Sequence, residues 1–274
     1  MYRLENKIIV LFGGNGRLGQ SFTKILLEEG AILYSCDIRA FDKEYKRHLT
    51  KEYPDKIFFK YFDATNKNEL IRLRKEILEK HARIDTLINS TTSKGDDFYL
   101  PFEEVSLEGW NKGLLGNLTL PFLTCQVFLK PMRKNKSGNV INISSIYGLV
   151  GNDQNLYKGS NLSNIYVEKK SDPKNDQIYS HAVYNAAKGG LNSLTRYLAA
   201  YYGKYNVRVN TITPGGISHP DENEEFVNKY SDKTPLGRKA SLDEINGALV
   251  YLASDESSYV TGHNLVIDGG FTIW

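Results

Sequence analysis

The chain contains only two cysteines, two methionines and two tryptophans in 274 residues. Cys36 and Cys125 each lie inside an apolar segment with no CxxC or Cys/His spacing. Neither a disulfide framework nor a metal site is therefore expected, and a reducing cytoplasmic setting fits. Long hydrophobic runs are also missing. Ile8 to Phe12, the longest near the start, covers five residues, far short of the roughly 20 needed to span a bilayer. Met1–Lys7 is too polar to precede a secretory core, so no membrane role is expected. Charge of one sign is equally scarce, because 35 Lys and Arg against 32 Asp and Glu leave +3 spread along the chain. Without a basic stripe, nucleic acid is not an expected partner. The densest basic run, Arg133-Lys134-Asn135-Lys136, follows Pro131 and precedes Ser137-Gly138, and it reads as a solvated turn. What is present, 41% hydrophobic and 24% charged residues with a mean hydropathy of −0.42, describes a globular chain with a sizeable core. The length suits one α/β domain over residues 1–274, and no linker divides it.

Short apolar runs alternate with longer amphipathic stretches, the pattern of strand–helix units winding a parallel sheet. Seven strands are expected: Ile8–Phe12, Ile32–Cys36, Ile57–Tyr61, Thr86–Asn89, Val140–Ser144, Val207–Thr213 and Leu265–Ile267. Leu70, Leu73 and Ile77 repeat at helical spacing after a Thr65 cap, as do Leu191, Leu194, Leu198 and Tyr201. Ser241 with Glu244 forms a capping-box pattern that opens a helix through Leu252. Right-handed crossovers then place every strand's carboxyl end on one edge, where ligands of such folds bind. The stretch from Asn152 to Ile178 breaks the rhythm. It is polar, holds Pro173 and shows no period, so it reads as an inserted loop.

Directly after the first strand comes Gly13-Gly14-Asn15-Gly16-Arg17-Leu18-Gly19, and a helical pattern follows. A glycine-rich turn there lets backbone amides and the positive end of a helix approach a pyrophosphate, as in a doubly wound Rossmann fold. Asp37 ends the second strand 37 − 19 = 18 residues beyond Gly19, where a carboxylate accepts from both ribose hydroxyls. Its charge repels a 2′-phosphate and favours NAD over NADP. Arg17 and Arg39 argue the other way, since either guanidinium pairs well with a phosphate. Asp63-Ala64 after the third strand is placed to meet the adenine, and Asn89 after the fourth to brace the surrounding loops.

Tyr184-Asn185-Ala186-Ala187-Lys188 puts a phenol and an ammonium one helical turn apart on the same face. At about 4 Å and an effective dielectric near 20, their attraction is roughly 4 kcal/mol, enough to bring a phenol from about 10 towards 7. Such a group exchanges a proton with a substrate hydroxyl or carbonyl at working pH. A second YxxxK, Tyr166 with Lys170, is followed by Ser171-Asp172-Pro173, which ends any helix, whereas Tyr184 opens a long one.

With these motifs in this order, the chain resembles the short-chain dehydrogenase/reductase family over essentially its whole length. The resemblance implies that Tyr184 is the acid/base and that Lys188 holds the nicotinamide ribose and lowers the tyrosine's pKa. Ser145 of Asn142-Ile143-Ser144-Ser145 would polarise the substrate oxygen, and Asn117 would support a water in a proton relay. It implies too that Pro214-Gly215-Gly216-Ile217 meets the carboxamide. The segment from Val260-Thr261-Gly262 to Asp268-Gly269-Gly270 resembles a terminal strand found at dimer or tetramer contacts, so a homodimer or homotetramer is expected. Three departures stand out. Arg17 replaces a glycine of TGxxxGxG while Gly16 creates the spacing of the family's extended branch, and Ser90-Thr91-Thr92 replaces the rest of NNAG. Ser145 and Tyr184 are 184 − 145 = 39 residues apart, leaving roughly 26 extra residues beside the active site.

The two ends of that insertion lie near the substrate pocket, so it is expected to form a lid or wall. Tyr147, Asn155, Tyr157, Asn161 and Tyr179 suit a hydroxyl-rich substrate. The run from Ile146-Tyr147-Gly148 to Asn161 is similar to reductases of bacterial surface-sugar and flagellin-glycan biosynthesis, which points to a sugar, sugar phosphate or nucleotide sugar. His181 and His219 lie nearby and are given no catalytic role. Two other functions stay open: a nucleotide-sugar epimerase or dehydratase holding NAD tightly, and a non-catalytic NAD-binding protein.

Overall fold

Seven short β-branched or apolar runs become strands, Ile8–Phe12 (β1), Ile32–Asp37 (β2), Ile57–Tyr61 (β3), Thr86–Asn89 (β4), Gly138–Ile143 (β5), Val207–Pro214 (β6) and Asn264–Ile267 (β7). The computed structural model describes residues 2–166 and 177–274. In it the strands form one sheet of order β3-β2-β1-β4-β5-β6-β7, with every pair parallel. β1, β2, β4, β5 and β6 are buried along nearly their whole length, because helices cover both faces. The strand order reverses between β1 and β4, and the crevice at their carboxyl ends is where ligands of such sheets bind.

The described helices are Arg17–Glu28 (α1), Lys43–Glu52 (α2), Lys67–His81 (α3), Leu107–Leu114 (α4), Leu120–Asn135 (α5), Leu162–Tyr166 (α6), Ala182–Tyr202 (α7), Glu224–Asp232 (α8) and Asn246–Ala253 (α9). Alternation along β1 sends Ile8, Val10 and Phe12 to one core, with Leu70 and Ile77 of α3, Phe128 of α5 and Leu198 of α7. Ile9 and Leu11 face the other core, with Phe22 and Leu26 of α1 and Leu249 of α9. A third cluster lies beyond the strand ends. It joins Phe98 and Tyr99 after β4, Leu156, Tyr157, Leu162 and Ile178 of the inserted stretch, and Phe226 and Tyr230 of α8.

Several expectations are corrected here. The inserted stretch is not a plain loop, since Gln154–Tyr157 forms a 3-10 turn and Leu162–Tyr166 forms α6. Each is about one turn long, too short for a period to be read in the sequence. Lys170 lies outside the described residues. The cap of α3 is Asn66, whose side chain accepts from the Asn68 amide, while the Thr65 hydroxyl donates to Asp63. The basic run at 133–136 is not a simple turn. α5 continues through the buried Pro131 to Asn135, placing Arg133 and Lys134 at the negative end of the helix dipole, and left-handed Lys136 ends it. The Ser241–Glu244 capping box is present, but it opens a 3-10 turn over Leu242–Ile245 before α9 begins.

Candidate active site

Gly13 sits at φ +84° in the turn after β1, and a Cβ there would lie 2.3 Å from the Ser90 carbonyl oxygen. A Cβ on Gly19 would meet the Gly13 carbonyl at 2.0 Å, so α1 packs onto the turn only because neither residue has a side chain. Gly16 caps α1 without a side chain to occupy its first amides, which leaves them for an anion. Asp37 reaches this turn from β2. One carboxylate oxygen accepts from the Asn15 amide at 2.9 Å and the other from the Arg39 amide at 2.9 Å. The Arg39 guanidinium lies 3.7 Å away and is largely exposed. Arg17 does not point into open space, because its guanidinium donates to the Ser218 carbonyl. Leu18 packs against the second core. Asp63 is exposed and caps Thr65, and Ala64 beside it is buried.

Asn89 at the end of β4 is buried in a polar chain that crosses the sheet. Its amide donates to Asn142 at 2.8 Å, Asn142 donates to Thr195 at 2.9 Å, and Thr124 donates to Asn89 at 2.7 Å. The Thr211 hydroxyl completes the chain by donating to Thr195. Asn117 lies in a π-helical turn, Leu115–Thr119, between α4 and α5. Its amide donates to the carbonyls of Ser93 and Gly113, both at 2.9 Å, while its buried Oδ1 has no partner among the described residues. An orphaned acceptor next to a π-turn is the signature of a functional position.

Ser145 follows β5 directly, and Tyr184 and Lys188 lie in the first turns of α7, whose N-cap is His181. The His181 Nδ1 accepts from the Val183 amide, and its ring stacks on Phe98 at 4.8 Å. Lys188 is 3% exposed and donates to the Ile143 carbonyl at 2.9 Å. Its ammonium lies 5.6 Å from the centre of the Tyr184 ring, on the same side of the helix. Burial pushes the Tyr184 phenol above its usual range. A hydrogen bond with Ser145 pulls it partly back, and the phenols of Tyr157 and Tyr166 add smaller upward pushes. The phenol is therefore not brought towards 7 by Lys188. The ammonium is committed to a carbonyl and is itself desolvated, so burial outweighs the expected attraction.

Burial lowers Lys188 to about 8. The sign follows from proton counting: between about 8 and the ordinary 10.5 the unfolded chain holds a proton that the folded chain has released. Stability therefore rises with pH across that window. Lys94, lowered to about 7 by burial, acts in the same direction. Urea midpoints should increase from pH 7 to pH 9.5, and Lys188→Met should flatten the slope; an unchanged slope would refute the assignment.

On the substrate side, the Tyr147 amide donates to the Ser145 hydroxyl at 3.3 Å, and the Tyr147 hydroxyl accepts from Tyr157 at 2.8 Å. Tyr157 is a core residue and not an open wall hydroxyl. Asn161 is engaged by the loop before α8, donating to the Asp221 carbonyl and accepting from the Asn223 amide. Asn155 is exposed, and the Tyr179 amide donates to the Tyr99 carbonyl. Pro214 ends β6, the Gly215 amide donates to the Ile267 carbonyl, and Ile217 bridges to Ala240. A cavity of about 320 Å³ lies between Leu100, Phe102, Asn152 and Ser180. It borders the start of α7 through His181, Ala182 and Asn185, and Ser145, Tyr184 and Lys188 do not line it. Sequence reasoning missed Lys94 and Phe98, which enter the site from the segment after β4. The only available signal was position, since Lys94 follows the strand end Asn89 by five residues.

Comparison with known proteins agrees with this geometry. The short chain dehydrogenase profile matches residues 7–160, and a second profile, described as enoyl-(acyl carrier protein) reductase, matches residues 167–272. The chain is 32% identical over 270 residues to the post-translational flagellin modification protein A of Campylobacter coli, covering 98% of this chain and 99% of that one. It is 30% identical over 277 residues to a cyclopentanol dehydrogenase of Comamonas testosteroni, covering 99% of each. A short chain dehydrogenase from Leptospira borgpetersenii, solved with bound NAD+, superposes with a TM-score of 0.83 at 29% identity, covering 98% of this chain and 94% of that one. The chain belongs to the short-chain dehydrogenase/reductase family of NAD(P)-dependent oxidoreductases acting on CH–OH groups.

Proposed function

We propose that the chain moves hydride between NAD(P), with NAD preferred, and a secondary alcohol or ketone of a carbohydrate-like substrate. The observation that carries this reading is the meeting of Ser145, Tyr184 and Lys188 at the carboxyl edge of the sheet, within one fold that also holds the glycine turn and Asp37. The residues present fit a dinucleotide: the α1 amides are free of side-chain caps, and Asp37 keeps carboxylate lone pairs beyond its two amide donors. Gly13, Asn15, Gly16, Arg17, Leu18 and Gly19 would hold the pyrophosphate, Asp37 the adenosine ribose, and Asp63, Ala64 and Asn89 the region around the adenine. Pro214, Gly215 and Ile217 would border the nicotinamide. When bound, the nicotinamide supplies or accepts the hydride.

The protein's own part is proton handling. Tyr184, a neutral phenol at pH 7, donates its hydroxyl proton to a carbonyl oxygen; in the reverse direction it first gives that proton up to the relay and takes the carbinol proton as the phenolate. Ser145, hydrogen-bonded with that phenol, holds the same substrate oxygen beside it. Lys188 keeps a positive charge under the phenol and faces the ribose, and the free Oδ1 of Asn117 is the acceptor for a relay water. Tyr147 lines the substrate side.

A carbohydrate-like substrate is supported by a relative named for flagellin modification. Screening NAD and NADP by absorbance with sugars, sugar phosphates and nucleotide sugars should give stoichiometric reduced cofactor. Its absence across the panel would sink the reading. Asp37→Ser should weaken NAD by roughly tenfold to a hundredfold and bring NADP use within reach, since a charged acceptor for two hydroxyls is lost. Unchanged NAD affinity would remove Asp37 from the ribose site.

We also propose that the protein works in the cytoplasm, where its two buried thiols stay free, as a homodimer or homotetramer. The supporting surface is Tyr197 and Tyr201 on α7, stacked at 6.1 Å and exposed beside Phe122 of α5. Light scattering at micromolar concentration should give twice or four times the 31.1 kDa chain mass, and a monomer would refute it.

A further inference from the structure

Tyr166 is the last residue of α6, and side chains from three other segments converge on it. The Arg17 guanidinium, at the start of α1, lies near enough to offset part of the upward push that burial gives the Tyr166 phenol. The ammonium of Lys94, from the segment after β4, lies 3.8 Å from the centre of the Tyr166 ring. The His219 ring, from the loop after β6, meets it edge-on at 5.7 Å. Lys94 also stands 5.3 Å from the centre of Phe98, and the Phe98 ring meets Tyr184 at 6.2 Å. The cluster is therefore one aromatic ring away from the reacting phenol.

Charge accounting in this cluster is lopsided. Glu222 is the carboxylate beside it, and both of its oxygens are taken by Lys239 at 2.5 Å. The Nδ1 of His219 accepts from the Asp221 amide and lies 3.6 Å from the exposed Asp221 carboxylate. Arg17 donates to the Ser218 carbonyl and forms no ion pair among the described residues. Lys94 has neither a hydrogen-bond acceptor nor a carboxylate partner among them, only two ring faces, and burial lowers it to about 7. A desolvated cation held only by aromatic faces is incompletely compensated. An anion arriving there would meet the Lys94 ammonium without displacing a carboxylate of the described residues.

We infer that Lys94 is the receptor for an anionic group, a carboxylate or a phosphate, on the carbohydrate-like substrate. The inference rests on the proposed dehydrogenase reading and narrows its substrate class to acidic sugars and sugar phosphates. Phe98 and Tyr166 fix the direction of the ammonium, and Phe98 sets the spacing between the anion at one end and the reacting hydroxyl at Tyr184. Lys94 acts as a specificity determinant and takes no part in the proton transfer.

The test compares wild type, Lys94→Met and Lys94→Arg, each with saturating NAD, on D-gluconate, D-glucose 6-phosphate and uncharged D-sorbitol. Calorimetry reads binding, and NADH absorbance reads turnover. One of the two anions should bind better than sorbitol, and which one identifies the group as carboxylate or phosphate. Lys94→Met should weaken that anion by roughly tenfold to a hundredfold, in KM and not kcat, while leaving sorbitol and NAD within about twofold. Lys94→Arg should restore most of the loss. Equal weakening of sorbitol would overturn the proposal. So would a parallel loss of NAD affinity, which would assign the cluster to the cofactor's own phosphates. A wild type that oxidises sorbitol and binds neither anion also overturns it, while the dehydrogenase reading stands. If no NADH forms with any compound, that reading has failed, and the calorimetric arm still decides on Lys94.

Discussion

Tyr184→Phe is expected to lower turnover by roughly a hundredfold to ten-thousandfold, the range a positioned general acid supplies, with NAD affinity changed by no more than about twofold. The substitution removes one oxygen and keeps the ring against Phe98, so the α7 start and the wall of the site should stay in place. What is lost is the phenol whose pKa Ser145, just past β5, pulls down. Single-turnover kinetics separate the proton step from cofactor binding. Retained turnover would mean that another group moves the proton, and the proposed chemistry would fall with it.

The second large effect is structural. Lys239 and Glu222 are 3% and 2% exposed and meet at 2.5 Å, with the ammonium also 4.9 Å from the centre of Phe226. Lys239→Met leaves a carboxylate out of water without its partner, a loss of about 3 to 5 kcal/mol. Adding Glu222→Gln should recover more than half, because a neutral pair no longer carries an uncompensated charge. Urea unfolding of the single and double variants measures this, and a single variant within about 0.5 kcal/mol of wild type would show that Glu222 finds another route to solvent. The pair also fixes the loop that carries Ser218, to which Arg17 donates, so the single variant should loosen the cofactor turn as well.

The seven strands were legible because each is a short apolar run bounded by turn residues. Strand ends moved by one or two residues, as when β5 began at Gly138 and stopped at Ile143. The glycine turn, Asp37 and the Tyr184–Lys188 pair were legible because local backbone geometry and helical spacing place them. Electrostatics were not. A spacing of four residues sets which face Lys188 shares with Tyr184, but it says nothing of the Ile143 carbonyl that holds the ammonium or of the burial that outweighs its attraction. The wall of the site was hidden for a different reason. Tyr157 and Leu162 read as members of a polar stretch, and only long-range contact with Phe98 and Phe226 reveals them as core. Lys94 carries no local pattern at all.

The inserted stretch lies between Ser145, just past β5, and Tyr184, in the first turn of α7. Each of those anchors is held by its own strand or helix, so lengthening or recasting the chain between them need not disturb the distance from serine to tyrosine. Under the proposed chemistry, selectivity and hydride transfer would be separately heritable, with one alcohol traded for another by rewriting a single stretch while the serine and tyrosine stay where they were.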